Sequence, residues 1–180
     1  MPCNATWHGA WRMREAIADT GPVLHLNEIG RLECLRIFEH LVMPDLVAEE
    51  LRAYGLDPSR LGVTGLKATI VVVERAEWSP VLSEADQPTI HPADAQVFVL
   101  ARSSQFQKPV LTDDLALRRR LESQGATVAG SVGVLVRAYT TGHLKRDELE
   151  SAVDALFTTS TLYMSRAFRA YVRHLLADLP

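Results

Sequence analysis

The stretch Ala16-Ile17-Ala18-Asp19-Thr20-Gly21-Pro22 decides how the chain reads. A short apolar run that suits a strand meets an acid, and turn chemistry follows at once. Val23, Leu24, Leu26 and Ile29 then begin an amphipathic run. Asp19 is therefore expected at the carboxyl end of a strand, on the turn into a helix. In open α/β sheets that edge is where ligands bind. Residues 14–19 read as the first strand; Pro22 suits a helix start and Gly30 its stop.

The same alternation continues along the chain. Leu32, Leu35, Ile37 and Phe38 mark a second helical face, and Leu41 to Met43 a strand ended by Pro44. Residues 45–53 predict a helix stopped by Gly55. Residues 55–68, with Gly55, Pro58, Gly62 and Gly65, read as a turn-rich connection. The run ATIVVV at 68–73 is continuously apolar, which predicts a strand buried on both faces of a parallel sheet. Residues 77–91 read as the longest irregular stretch, of the kind that is usually functional or mobile. A helix is expected from Pro92 to Ser103, a strand at 109–111, and a helix after Thr112-Asp113-Asp114 that Gly125 stops. A last strand at 126–129 precedes a helix opened by Gly130, and 145–157 and 161–178 predict two more helices. The expected fold is a three-layer α/β/α with a central parallel sheet of four to five strands and a helical C-terminal extension. Residues 1–13, with Trp7 and Trp11 one helical turn apart, read as an N-terminal arm; residues 14–180 read as a single domain.

Bulk composition limits the function classes. A formal net charge of -3 and a pI near 6.1 give no general attraction to nucleic acid or anionic membrane, so a nucleic-acid partner needs a local basic patch or a metal. No apolar run reaches the roughly 18 residues of a membrane span. Residues 1–15 mix Trp, His, Arg and Glu, unlike a signal peptide. The two cysteines, Cys3 and Cys34, make neither a C-x-x-C site nor a disulfide framework, which points to a reducing cytoplasm.

The acids carry the chemistry. Asp19 and the pair Asp113/Asp114 share one grammar: short apolar strand, acid, helix. Asp94 lies near the start of one helix and Glu50 inside another. Right-handed crossovers in a parallel sheet can bring helix starts to the same edge. Carboxylates gathered there repel one another, and a cation makes the cluster tolerable. An all-oxygen set suits Mg²⁺ or Mn²⁺. Phosphodiester hydrolysis is a natural use, because such an ion activates water and stabilises a charged transition state. Each acid alone also has an ordinary reading, since the chain holds 22 acids in 180 residues. Asp94 could favour a helix N-terminus, Asp113 could cap its helix, and Glu50 could be a solvated position.

In their order and spacing, several segments resemble the PIN-domain family, and its VapC-like toxin branch in particular. These are Asp19-Thr20-Gly21-Pro22-Val23-Leu24; the segment Pro44 to Leu51, which picks Glu50 over Glu49; and Asp94 with Ala101 seven residues on. Thr112-Asp113-Asp114 followed by Arg118, and Gly130 to Leu135 with Ser131 where that branch more usually has Thr, complete the match. The resemblance runs from about Ile17 to Leu176. It implies a Mg²⁺- or Mn²⁺-dependent ribonuclease, often the toxin half of a toxin–antitoxin pair held by a cognate antitoxin protein, and often a homodimer. The implied carboxylates are Asp19, Glu50, Asp94 and one or both of Asp113 and Asp114. A Thr-x-Asp pattern favours Asp114, and the spacing to Arg118 favours Asp113. The N-terminal arm and the 77–91 stretch depart from the pattern.

Around this set, Thr20, Thr112 and Ser131 are candidates to orient carboxylates or water, or to cap helices. Arg118, Arg119 and Arg120 could contact RNA phosphates, Arg118 and Arg119 above all, or form a solvated face. Arg166, Arg169 and Arg173 share one face of the last helix. His91 stands near Asp94, and the remaining histidines show no zinc spacing. Two other classes remain open: a catalytically inactive nucleic-acid or protein binding module, and a Mg²⁺ phosphatase. The phosphatase lacks its second Asp at 19–21.

Overall fold

The computed structural model describes residues 15–59, 61, 65–84 and 89–179. The N-terminal arm with Trp7 and Trp11, and residues 85–88 of the expected irregular stretch, lie outside them. Strands β1 (Glu15–Ala18), β2 (His40–Pro44), β3 (Lys67–Val71), β4 (Val110–Leu111) and β5 (Val128–Ala129) form one sheet in the order β3-β2-β1-β4-β5. Every pairing is parallel: Ile17 stands beside Val42 on one side and Val110 on the other. Helices flank the sheet, giving the three-layer α/β/α architecture.

The chain winds outward from β1 through β2 to β3, then returns to place β4 and β5 on the other side of β1. The direction of winding reverses between β1 and β4. A parallel sheet opens a crevice at the carboxyl ends of such neighbours. The link there is tight: Asp19 N–H donates to Leu111 O at 2.9 Å, and Thr112 N–H to Ala129 O at 2.9 Å.

Helices α1 (Thr20–Glu28) and α2 (Asp45–Ala53) start directly from β1 and β2. Residues 32–37 form a 3-10 helix. Helices α3 (Arg75–Leu82), α4 (Pro92–Ser103) and α5 (Leu115–Ser123) pack in sequence on one another, with α4 against β1 and β2. Helix α6 (Ser131–Thr140) packs on α1 and the 3-10 helix, and α7 (Arg146–Thr158) packs on α6. Helix α8 (Arg166–Ala177) closes the described chain. The core is dry where these layers meet: Ile17, Leu26, Leu35, Leu41, Met43, Leu51 and Leu111 are fully buried. Among the described residues no helix is long and apolar enough to cross a membrane.

Three expectations are corrected. The ATIVVV run is not buried on both faces. β3 is an edge strand pairing only with β2, and Val72 just beyond it is 70 % exposed. Apolar content made it resemble an interior strand, but place in the strand order decides burial, and that order is not local in sequence. The irregular 77–91 stretch contains most of α3. Pro80 lies inside that helix, where it removes one backbone hydrogen bond. Burial of Val81 and packing on α4 hold the helix regardless. The last helix begins at Arg166, capped by Ser165 Oγ, which accepts Phe168 N–H at 3.2 Å. Residues 161–165 are thereby released to run along the sheet's carboxyl edge.

Candidate active site

A cleft of about 340 Å³ opens at the crevice between β1 and β4. Asp19, Glu50, Asp94, Asp113 and Asp114 all line it. Acids from four separate segments thus reach one place, each delivered by a strand end or a helix.

Asp19 leaves β1 as the residue before α1. Its Oδ1 accepts Thr20 N–H at 2.7 Å, and its Oδ2 accepts the Thr112 hydroxyl at 2.7 Å. Thr112 in turn accepts the N–H of Asp114 at 3.0 Å, so one hydroxyl ties the ends of β1 and β4 together. Thr20 Oγ1 donates to Glu50 Oε2 at 2.5 Å, which fixes the exposed Glu50 against the start of α1. Asp94 sits in the first turn of α4, and its Oδ2 accepts His91 N–H at 2.8 Å. A carboxylate suits that position because it meets a free backbone donor and the positive end of the helix dipole.

The two neighbours that the sequence could not separate face different tasks. Asp113 is held by α6 and α1. Its Oδ1 accepts Ser131 N–H at 2.8 Å, its Oδ2 accepts Ser131 Oγ at 2.5 Å, and His25 Nδ1 lies 2.9 Å from Oδ2. Asp114 caps α5 with one oxygen, Oδ1 accepting Leu117 N–H at 2.7 Å. Its charge is felt by Asp94, as is that of Glu50.

Burial and like charge act together here. Asp19 is 5 % exposed and its carboxyl is pushed up to about 7, first by burial and then by the charge of Asp94. Asp94 is 7 % exposed and is pushed up to about 6, first by burial, with Asp114 and Glu50 adding to the rise. Among the described residues lining the cleft there is no Lys or Arg. The excess of buried negative charge is what a hard divalent cation would neutralise, and all-oxygen donors fit Mg²⁺ or Mn²⁺. Among the described residues no three His, Cys, Asp or Glu side chains already stand in position to hold an ion. The acids share the cleft without closing on a point.

This has a measurable consequence for stability. Both groups titrate higher in the folded chain than the ordinary value of 3.8, so the fold favours their neutral forms. The stability they contribute is complete below that value and is lost as pH rises through about 6 and about 7. In EDTA the melting temperature is expected to fall by roughly 5 °C or more between pH 5 and pH 7.5. Saturating Mn²⁺ should remove most of that fall. A metal-free melting curve that is flat or rises over this range contradicts the electrostatic account.

The basic candidates lie elsewhere. Arg118 donates to Thr112 O at 3.0 Å and Val128 O at 3.4 Å, and pairs with Glu122, so it braces the ends of β4 and β5. Arg119 is exposed on α5. Arg120 is buried, paired with Glu84 and stacked over Phe98. On α8, Arg169 lies over the Phe157 ring, while Arg166 and Arg173 are exposed.

Sequence reasoning passed over two contributors. His25 lines the cleft, and its position four residues after Gly21 on α1 was the available signal. Thr161, Leu162 and Tyr163 also line it, although no periodicity marks them.

No curated protein and no solved structure matches the chain. A family model described as a PIN domain matches residues 15–177, the span that carries the parallel sheet and every acid of the cleft. The chain belongs to the PIN-domain family.

Proposed function

We propose that the chain is a ribonuclease that hydrolyses RNA phosphodiester bonds with Mg²⁺ or Mn²⁺. PIN domains are generally nucleases; they bind nucleic acid and use divalent metal ions. The observation that carries the finer reading is the shared cleft in which Asp19 and Asp94 are buried as carboxyls with no Lys or Arg among its described lining. Asp19, Asp94 and Asp114 would hold the ion. When bound, it supplies neutralising charge for the phosphodiester's transition state and lowers the pKa of water.

The chain's own residues do the rest. The Thr112 hydroxyl orients both neighbours, donating to Asp19 Oδ2 and accepting the backbone N–H of Asp114. Glu50, exposed at the cleft and hydrogen-bonded by Thr20, would take the proton of the attacking water. Asp113, already occupied by Ser131 and His25, positions the turn that carries Asp114. Arg118 braces that same turn, and Arg119 remains the exposed basic side chain for a passing phosphate.

The same proposal takes the chain as the toxin half of a toxin–antitoxin pair, acting in the cytoplasm as a homodimer. It rests on the resemblance to the VapC-like branch. The exposed rings of Phe168 and Tyr171 on α8, with centroids 6.2 Å apart, supply an apolar patch suited to a protein partner.

The test is cleavage of single-stranded RNA with Mn²⁺. Cleavage should stop in EDTA and return when Mn²⁺ is restored, with p-nitrophenyl phosphate untouched. Mn²⁺ at about 100 times its Kd should also stabilise the fold by about 2.7 kcal/mol, roughly 5–10 °C in Tm. Hydrolysis of the phosphomonoester would point to a phosphatase. Neither cleavage nor stabilisation would leave an inert binding module.

A further inference from the structure

The segment between α7 and α8 brings an exposed tyrosine to the rim of the acidic cleft. Tyr163 lines the cleft with Asp19 and Asp94 and is 89 % exposed. A large ring left that open to water beside a charged site is unusual, because burying it would be favourable. Its backbone is nevertheless held on both sides. Thr161 donates its N–H and its hydroxyl to the two oxygens of Glu28 at 2.9 and 2.8 Å, tying the segment to the end of α1. On the other side Met164 is buried in the core and Ser165 caps α8. The ring is presented by a fixed platform, so its exposure is built into the loop.

We infer that Tyr163 is a stacking platform for an unpaired base of the substrate, next to the phosphate that the acids engage. The inference rests on the nuclease reading and adds the residue that takes the base. A cleft of about 340 Å³ is at the small end for a ligand site and suits one nucleotide better than a duplex. Tyr163 and the acidic residues line the same small space, so a strand whose phosphate meets a cation held by the carboxylates would carry its base to the rim. Single-stranded nucleic acid is held by positive charge along its backbone and by aromatic side chains that take the bases; here a cation held by the acids would supply the first and Tyr163 the second. Every base has a π face, so the platform gives little base preference. It does select against paired RNA, whose bases are already stacked and are not available to the ring.

The experiment measures Mn²⁺-dependent cleavage by the full chain of a single-stranded RNA oligonucleotide, and of the same oligonucleotide with one abasic nucleotide beside the cleaved bond. Tyr163→Ala should raise KM roughly 5- to 100-fold with kcat little changed, and Tyr163→Phe and Tyr163→Trp should keep wild-type KM. The abasic substrate should lose as much with the wild-type protein, and Tyr163→Ala should lose little more on it, because the two changes remove the same contact. Duplex RNA should be a poor substrate for all forms. Equal KM for wild type and Tyr163→Ala, or additive losses with the abasic substrate, overturns the inference and leaves the ring to a protein surface. Failure of the wild-type protein to cleave any RNA overturns the nuclease reading first, and this inference with it. The exposed position keeps the fold independent of the ring, and an unchanged Tm verifies it.

Discussion

Asp94→Asn is expected to cut Mn²⁺-dependent RNA cleavage by orders of magnitude while making the metal-free protein more stable at pH 7.5. The two effects have one cause. Asp94 is 7 % exposed, its carboxyl is raised to about 6 chiefly by burial, and Asp114 and Glu50 add like charge. At pH 7.5 the fold must hold that carboxylate ionised against its preference. Asn has nearly the same shape, and its amide oxygen can still accept His91 N–H, the bond that secures the start of α4. The substitution removes charge and keeps the cap. The rise from 3.8 to about 6 corresponds to about 3 kcal/mol. Part of that returns as relief, so Tm in EDTA should increase by roughly 4–10 °C. Cleavage should fall by roughly 10²- to 10³-fold, the usual cost of losing one group from a site that stabilises transition-state charge. The Mn²⁺-dependent rise in Tm should shrink in parallel. Gain of stability with loss of activity is the signature of a site whose charges are arranged for ligand at the fold's expense. Wild-type cleavage by Asp94→Asn would remove Asp94 from the chemistry. A fall in Tm would show that Asp94 holds the fold together and that its ionised form is no burden to it.

What made Asp94 and Asp19 legible in the sequence is that their placement is local. A strand, an acid and a turn occupy consecutive residues at 16–22, and Pro92 announces the helix that carries Asp94. Such signals need no knowledge of the rest of the fold. The order β3-β2-β1-β4-β5 is different, because it depends on which strands meet across the whole chain. ATIVVV therefore read as interior when it lies at the edge. The 77–91 stretch read as irregular although tertiary packing makes part of it helical: α4 and the buried Val81 hold α3 around Pro80, which removes a backbone hydrogen bond from that helix. Tyr163 was invisible because its role comes from neighbours far away in sequence, Glu28 above all. The choice between Asp113 and Asp114 was out of reach for the same reason. Both follow Thr112 in the same turn, and it is the distant His25 and, above all, the position of Ser131 that set Asp113 apart.

That position gives the second large effect. Gly130→Ala is expected to lower Tm by roughly 5–15 °C and to reduce cleavage, although no backbone strain is involved. Gly130 has φ -99 and ψ -175, extended backbone that any residue adopts. The constraint is space. A Cβ there would lie 2.4 Å from Asp113 Oδ1, 3.1 Å from Arg118 Nη2 and 3.4 Å from Thr112 O. A side-chain end can often move aside at small cost. Here Oδ1 is the acceptor of Ser131 N–H, and Oδ2 is engaged by Ser131 Oγ and His25. Arg118 is committed to Thr112 O and Val128 O. Moving Asp113 aside leaves the first N–H of α6 unpaired, at about 1–3 kcal/mol. Overpacking against Arg118 adds about 1–3 kcal/mol more. Each kcal/mol is worth about 2–4 °C in a chain of this size. Activity suffers because Asp113 and Asp114 are adjacent: rotating the turn to clear the added methyl group shifts the carboxylate that borders Asp94. Pairing the change with Asp113→Ala separates the steric cause from any other. With the carboxylate gone only the milder approach to Arg118 remains, so Gly130→Ala should cost clearly less in the Asp113→Ala background than in the wild type. Additive losses would show that Gly130 is needed for something other than clearance of Asp113. A Gly130→Ala protein with wild-type Tm and activity would mean that the bracket of Asp113, Ser131 and His25 is looser than its hydrogen bonds indicate.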